Sequence, residues 1–228
     1  MTDTAEMSQN GERDQKTETS MASLTIAGFT EKLSGRDPVP GGGGASAVAA
    51  ALGAALGNMT ASLAIGKKKY ADRQDELEKL TADLKEVARQ LLSCADKDAE
   101  SFLPLLAAYK LPHATVEEQE AKDAALDAAL IRANEPPLEI MRLSLQALHL
   151  IGRAGEIGSR MAVSDAGAGA KLAGAALSAA SLNVYINVKS MKDREAADRQ
   201  KAEADQLMKE GNELSDQIFE KVLAEIRE

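Results

Sequence analysis

Small residues recur at every fourth place from Ala45 to Ala61: Ala45, Ala49, Gly53, Gly57 and Ala61. At 3.6 residues per turn, positions four apart lie along one side of a helix. A side made only of alanine and glycine lets a second helix come unusually close. This feature restricts the chain to tightly packed helices. Composition agrees. Hydrophobic residues make up 44% of the 228, yet aromatics are 3% and tryptophan is absent. Strands favour β-branched and aromatic residues, whereas alanine is the best helix former. No run alternates apolar and polar residues. The reading is an all-α protein, an antiparallel bundle of about six to seven helices joined by short connections.

Residues 1–22 are polar, lack an apolar signal-peptide core and read as a disordered tail; residues 23–228 form one helical domain. A short helix runs from about Ser23 to Leu33 and is stopped by Gly35-Arg36-Asp37-Pro38-Val39-Pro40. The small-residue helix follows, from about Ala45 to Ile65. Gly53 and Gly57 are also a transmembrane packing signal. Asn58, Thr60, Ser62, the weak hydrophobicity of alanine and the flanking charged helices argue instead for a buried helix and no membrane. A long helix starts near Arg73, with Leu77, Leu80, Leu84, Val87, Leu91 and Cys94 at helical spacing. Pro104 is expected to bend or break it. Thr115 and Glu118 match a capping box, opening a helix to about Asn134. Pro136-Pro137 opens the next, to about Gly152. A second small-residue helix runs from Ser164-Asp165 to about Met191. A charged helix from Asp193 to Arg227 carries the seam Leu207, Leu214, Ile218, Val222 and Ile226, suited to a partner helix.

The net charge of -9 disfavours nucleic acid, whose binding draws on basic surface. A single cysteine, Cys94, allows no internal disulfide and fits a reducing, cytoplasmic setting. His113 and His149 stand alone, without the spaced partners of a metal site, so no metal is expected. His113 reads as a loop residue and His149 as a packed core histidine.

Four features can carry chemistry. Pro40-Gly41-Gly42-Gly43-Gly44 leads straight into a helix, where free N–H groups and the helix dipole can hold an anion or a developing oxyanion. The same glycines also suit a tight turn between touching helices. No Gly-Lys-Ser/Thr follows and no strand precedes, so neither a P-loop nor a dinucleotide fingerprint is present. Lys67-Lys68-Lys69-Tyr70 reverses the local charge; it fits a solvated helix C-terminus or an anion seat with one proton-donating lysine. Asp165, Asn183 and Asn187 share a helix face, because eighteen residues make five turns. They read either as an N-cap with two buried amides or as a carboxylate at a cleft edge. Asp96, Asp98 and Glu100 form a charged helix face, from which Asp98 is the one to turn inward.

Together the segments Pro40-Gly41-Gly42-Gly43-Gly44-Ala45, Ile65-Gly66-Lys67-Lys68-Lys69-Tyr70, Asp98 to Phe102, Leu111-Pro112, Ser164-Asp165-Ala166-Gly167 and Ala180 to Asn187 resemble the cyclodeaminase/cyclohydrolase family. That family includes the cyclodeaminase part of formiminotransferase-cyclodeaminase and the stand-alone methenyltetrahydrofolate cyclohydrolases of bacteria. The likeness spans about Ser23 to Glu228. The chain departs from it at Ser159-Arg160-Met161, where members often carry an Asn, and at Gly44, where many carry Ser.

The resemblance implies an all-α bundle that forms a homodimer, a small-molecule folate substrate and no cofactor. It also implies a pocket near the glycine turn and Ser164-Asp165. Asp165 would be the general acid/base or cation stabiliser and Lys68 a proton-transfer or carboxylate-binding group. Pro40, Gly41, Gly42, Gly43, Gly44, Lys67, Lys69, Asn183 and Asn187 would bind substrate. Expected is cyclohydrolase activity, converting 5,10-methenyltetrahydrofolate to 10-formyltetrahydrofolate, because no transferase domain accompanies the chain. Cyclodeaminase activity and a non-catalytic helical scaffold are the alternatives.

Overall fold

The computed structural model describes residues 20–228. The expected disordered tail lies, up to residue 19, outside the described residues. Among the described residues there are seven α-helices and no strand. They are α1 (Ile26–Leu33), α2 (Gly42–Ser62), α3 (Gln74–Tyr109), α4 (Val116–Ala133), α5 (Glu135–Ile157), α6 (Val163–Ser190) and α7 (Arg194–Arg227). The chain is anchored from its first described residues. Asp96 on α3 accepts hydrogen bonds from Ser20 Oγ and from Met21 N–H, both at 2.6 Å.

α2 is the central rod, packed against α3, α5 and α6. Its alanines Ala47, Ala50, Ala54 and Ala61 are fully buried. By length and composition α2 also has the makings of a membrane span, but its inner side is occupied by these neighbours. Gly53 and Gly169 are where α2 and α6 touch backbone to backbone. A Cβ on either would lie 2.7 Å from the other's carbonyl oxygen. α2 and α6 run antiparallel, so Gly42 at the start of α2 neighbours Asn183 near the end of α6. Among the described residues, one long side of this pair carries no other helix. Leu52 and Met59 on α2, Leu63 just past its end, and Leu172, Leu182 and Ile186 on α6 stand exposed there.

The helix ends follow the expected chemistry in part. Thr115 and Glu118 form the capping box of α4. Asp193 caps α7 by accepting from Ala196 N–H at 3.0 Å. Three expectations are corrected. Pro104 does not end α3, which continues to Tyr109. A proline removes one intrahelical hydrogen bond at a cost of about 3 kcal/mol, and burial of Leu105 and Ala108 just beyond it holds the last turn in place. His149 is not a core residue: its ring is exposed, 3.6 Å from Glu210. The α7 seam serves this chain's own α5 and α6. Ile218 and Val222 are buried, while Ile226 is exposed.

Replacing Gly53 by alanine tests the central contact. The added methyl meets backbone that cannot step aside. Gly53→Ala is expected to lower stability by about 1–3 kcal/mol, despite a propensity gain of up to about 1 kcal/mol. Urea unfolding checks this; an unchanged midpoint would mean the two helices separate freely.

Candidate active site

The glycine turn ends in a helix start whose N-cap residue has no side chain to cap it. Gly41 occupies the N-cap position of α2, and Ser46 Oγ donates back to Gly42 O at 2.6 Å. The first N–H groups of a helix have no partner within it, and here one of them is taken by Asp98. Gly44 N–H donates to Asp98 Oδ2 at 3.1 Å. The fit depends on glycine: a Cβ on Gly43 would overlap the Asp98 carboxylate.

A cavity of about 180 Å³ lies between this turn, α3 and α6. Gly41, Gly42 and Gly43 form one wall, Asp98, Ser101 and Phe102 another, and Asn183 and Asn187 a third. Asn183 and Asn187 stand one turn apart on α6. Asn187 Nδ2 donates to Asn134 Oδ1 at 2.9 Å. Burial pushes the Asp98 carboxyl above the usual carboxylate range, against the opposing pull of the Gly44 N–H. Such a group, set at the positive end of a helix dipole, can take up and return a proton at a cavity wall.

A larger groove of about 390 Å³ lies between α5, α6 and α7. Its polar rim is spent on itself: Arg153 pairs with Glu76 and Glu156, and Lys221 with Glu156. The smaller cavity instead has a carboxyl and two amides facing open space, which is the more useful set for chemistry.

Of the expected substrate-binding set, the structure brings Gly41, Gly42, Gly43, Asn183 and Asn187 together around the cavity and adds Asp98, whereas Pro40 and Gly44 are buried and do not line it. It does not bring Asp165 or the lysines there. Asp165 shares a helix face with Asn183, as five turns demand, but eighteen residues at 1.5 Å each put it about 27 Å away. The N-cap of α6 is Ala162, with no side-chain cap, and Asp165 sits within the first turn, half-buried. Lys67, Lys68 and Lys69 are exposed past the C-terminal end of α2, also remote from the glycine turn. Lys69 Nζ lies 5.7 Å from the centre of the Tyr70 ring, and Tyr70 Oη accepts from Arg160 N–H at 3.3 Å. The lysine run and the approach to Ser164-Asp165 thus form a second cluster at the other end of the α2–α6 pair. A single crevice holding Asp165, Lys68 and the glycine turn is not found within one chain, because antiparallel α2 and α6 carry the two groups at opposite ends.

Asp98 had a signal in the sequence. Residues 77, 84, 91 and 105 of α3 are leucines seven apart, and position 98 is the aspartate that interrupts them. Ser101 likewise stands where the companion series 80, 87, 94 and 108 has Leu, Val, Cys and Ala. Polar residues on an otherwise apolar seam must meet partners or a cavity. Asn134, fully buried at the α4–α5 junction, left no comparable trace.

The raised Asp98 carboxyl has a consequence for stability. The folded chain holds this proton more tightly than the unfolded chain, so ionisation costs stability. The cost is absent below the ordinary carboxylate value, grows as pH rises towards the raised value and is complete above it. Asp98→Asn keeps an acceptor for Gly44 N–H. It is expected to stabilise the protein near pH 7 and to leave it unchanged near pH 3. Urea unfolding at both pH values checks this; an equal effect at the two would rule out the buried carboxylate.

The comparisons with known proteins agree with this architecture. The family profile described as formiminotransferase-cyclodeaminase matches residues 25–206. Methenyltetrahydrofolate cyclohydrolase of Methylorubrum extorquens is 36% identical over 202 residues, which cover 89% of this chain and 97% of that protein. Formimidoyltransferase-cyclodeaminase of Mus musculus is 31% identical over 180 residues, covering 79% of this chain but 33% of the mouse protein. Among solved structures, formiminotetrahydrofolate cyclodeaminase of Thermotoga maritima superposes with a TM-score of 0.80 at 27% identity, over 90% of this chain and 98% of that one. With the family profile spanning most of the helical bundle and the fold shared with a solved member, the chain belongs to the formiminotransferase-cyclodeaminase family.

Proposed function

We propose that the chain hydrolyses 5,10-methenyltetrahydrofolate to 10-formyltetrahydrofolate. The observation that carries this reading is the match to the Methylorubrum cyclohydrolase over 97% of that protein. The cavity chemistry is compatible with it. Water must add to the electrophilic amidinium carbon, a base must take the water proton, and an acid must protonate the departing ring nitrogen. A carboxyl group of raised pKa does both in turn. In the proposed cycle Asp98 accepts the proton from water as the C–O bond forms, then returns a proton to N5 as the C–N bond breaks. The formyl group stays on N10 and one proton is released overall. Water balances the reaction, so the proposal includes no cofactor beyond the folate itself.

Cyclodeaminase activity is the second reading, favoured by the Thermotoga structure. That protein is matched over 98% of its length and carries the cyclodeaminase name. A chain of this span therefore does not by itself select the cyclohydrolase. The proton transfers are similar in kind: N10 adds to the formimino carbon and ammonia leaves.

The proposal extends to a homodimer. The exposed side of α2 and α6 is apolar along its length, and α2 itself contains no charged residue. Two helices about 30 Å long and together about 20 Å wide offer a footprint approaching the roughly 800 Å² per partner of a standard interface. A two-fold axis perpendicular to both helices would lay Asp165 of the partner subunit, and its lysine run, over the glycine turn. In that arrangement Asp165 and Lys68 act across the interface: the carboxylate steadies the amidinium cation and the lysine meets a substrate carboxylate. A cytoplasmic setting belongs to the same proposal. It is supported by the single cysteine, which leaves no internal disulfide to be formed.

An optical assay with each folate decides between the readings. Turnover of the methenyl substrate is expected, and activity on the formimino substrate alone would reverse the order. Asp98→Asn is expected to cut kcat by about 10²- to 10⁴-fold; near-normal turnover would remove Asp98 from the mechanism. Asp165→Asn should likewise lose most activity without unfolding. Mixing the two inactive variants tests the shared site. Subunit exchange creates mixed dimers with one intact pocket, so activity should return in part, whereas silence would sink the cross-interface arrangement.

A further inference from the structure

Three side-chain amides form a chain from α7 to the cavity. Gln200 Nε2 donates to the backbone carbonyl of Ile131 at 3.3 Å. Asn134 Nδ2 donates to Gln200 Oε1 at 2.7 Å. Asn187 Nδ2 donates to Asn134 Oδ1 at 2.9 Å. Asn187 in turn lines the cavity.

The direction of this chain is not arbitrary. A backbone carbonyl can only accept, so the Gln200 amide must turn its nitrogen to Ile131 and its oxygen to Asn134. Asn134 must then give its nitrogen to Gln200 and its oxygen to Asn187. Asn134 is wholly buried, so an opposite arrangement would set oxygen against oxygen away from water, at the cost of unsatisfied buried polar groups. Asn187 therefore turns its nitrogen inward, with one N–H given to Asn134, and its oxygen is the end turned to the cavity.

We infer that Asn134, anchored through Gln200 on Ile131 O, is a positioning residue that makes Asn187 a hydrogen-bond acceptor in the cavity. The cavity therefore recognises the edge of a ligand that carries N–H groups. On the folate reading, on which this inference rests, that edge is the amino-pyrimidinone edge of the reduced pterin rather than the glutamate carboxylates. Carboxylates have no hydrogen to offer Asn187 Oδ1 and would be repelled by Asp98 once ionised. The pterin therefore enters the cavity, and the acidic tail extends away from it.

The test combines one structural and one binding measurement on the full chain. In the wild type, the Asn187 Nδ2 protons, followed by amide NMR, should exchange slowly with solvent; in Asn134→Leu they should exchange as an open amide does. Fast exchange in the wild type overturns the inference, whatever the substrate is. For binding, the probes are 5,10-methenyltetrahydrofolate and its analogue lacking the pyrimidine amino group. The wild type should bind the analogue at least about tenfold more weakly, a preference that should fall towards unity in Asn134→Leu and in Gln200→Leu. A purely structural role would weaken both ligands equally and leave the ratio intact, which would also overturn the inference. Slow exchange in a protein that neither binds nor turns over either folate would uphold the amide orientation and sink the folate reading instead.

Discussion

The contact between Gly53 and Gly169 governs the rest of the molecule. With no side chain on either, the backbones of α2 and α6 meet directly, and the two helices are locked in antiparallel register along their lengths. That register puts the start of α2 beside the end of α6. The free N–H groups of one helix and the asparagines of the other thereby face a common space, into which α3 adds Asp98. The outer side of the pair is lined by alanines with leucines between them. The cavity and the exposed apolar side thus follow from one geometric constraint.

Charge and burial are balanced differently at the two ends of this pair. At the glycine end, burial dominates, and the carboxyl of Asp98 is held towards its neutral form. At the lysine end the groups are exposed to water, with Tyr70 tying the lysine run to the turn before α6. A neutral acid suits proton transfer, and open cations suit the capture of an acidic substrate tail. The single pocket implied by the resemblance is, within one chain, two separated microenvironments.

The fold was legible because its cause is local. Every-fourth alanine and glycine dictates close helices, Thr115 and Glu118 mark a helix start, and Gly41 to Gly44 mark a turn into another. The site was legible only where it lay close to those signals. Asn183 and Asn187 shared a helical face with Asp165, and that much was correct, but periodicity gives direction around a helix and not which end meets which neighbour. Asp98 is the member of its charged group that turns inward, and its place in the leucine series of α3 is the signal that sets it apart. Asn134 was invisible because its importance comes from contacts with residues 53 and 66 positions away in sequence. Pro104 misled for a related reason: a proline's cost is local, but the burial that offsets it is supplied by distant helices.

The pairing of α2 with α6 has a bearing on how the chain is made. α2 ends at Ser62 and its main partner ends at Ser190, so the uncharged rod leaves the ribosome roughly 130 residues before the surface that covers it. At about 5–20 residues per second, it waits on the order of ten seconds with its glycine and alanine backbone unshielded. During that interval α3 and α5 are the helices among the described residues that can already pack on it, so early docking on α3 is what shields the rod first.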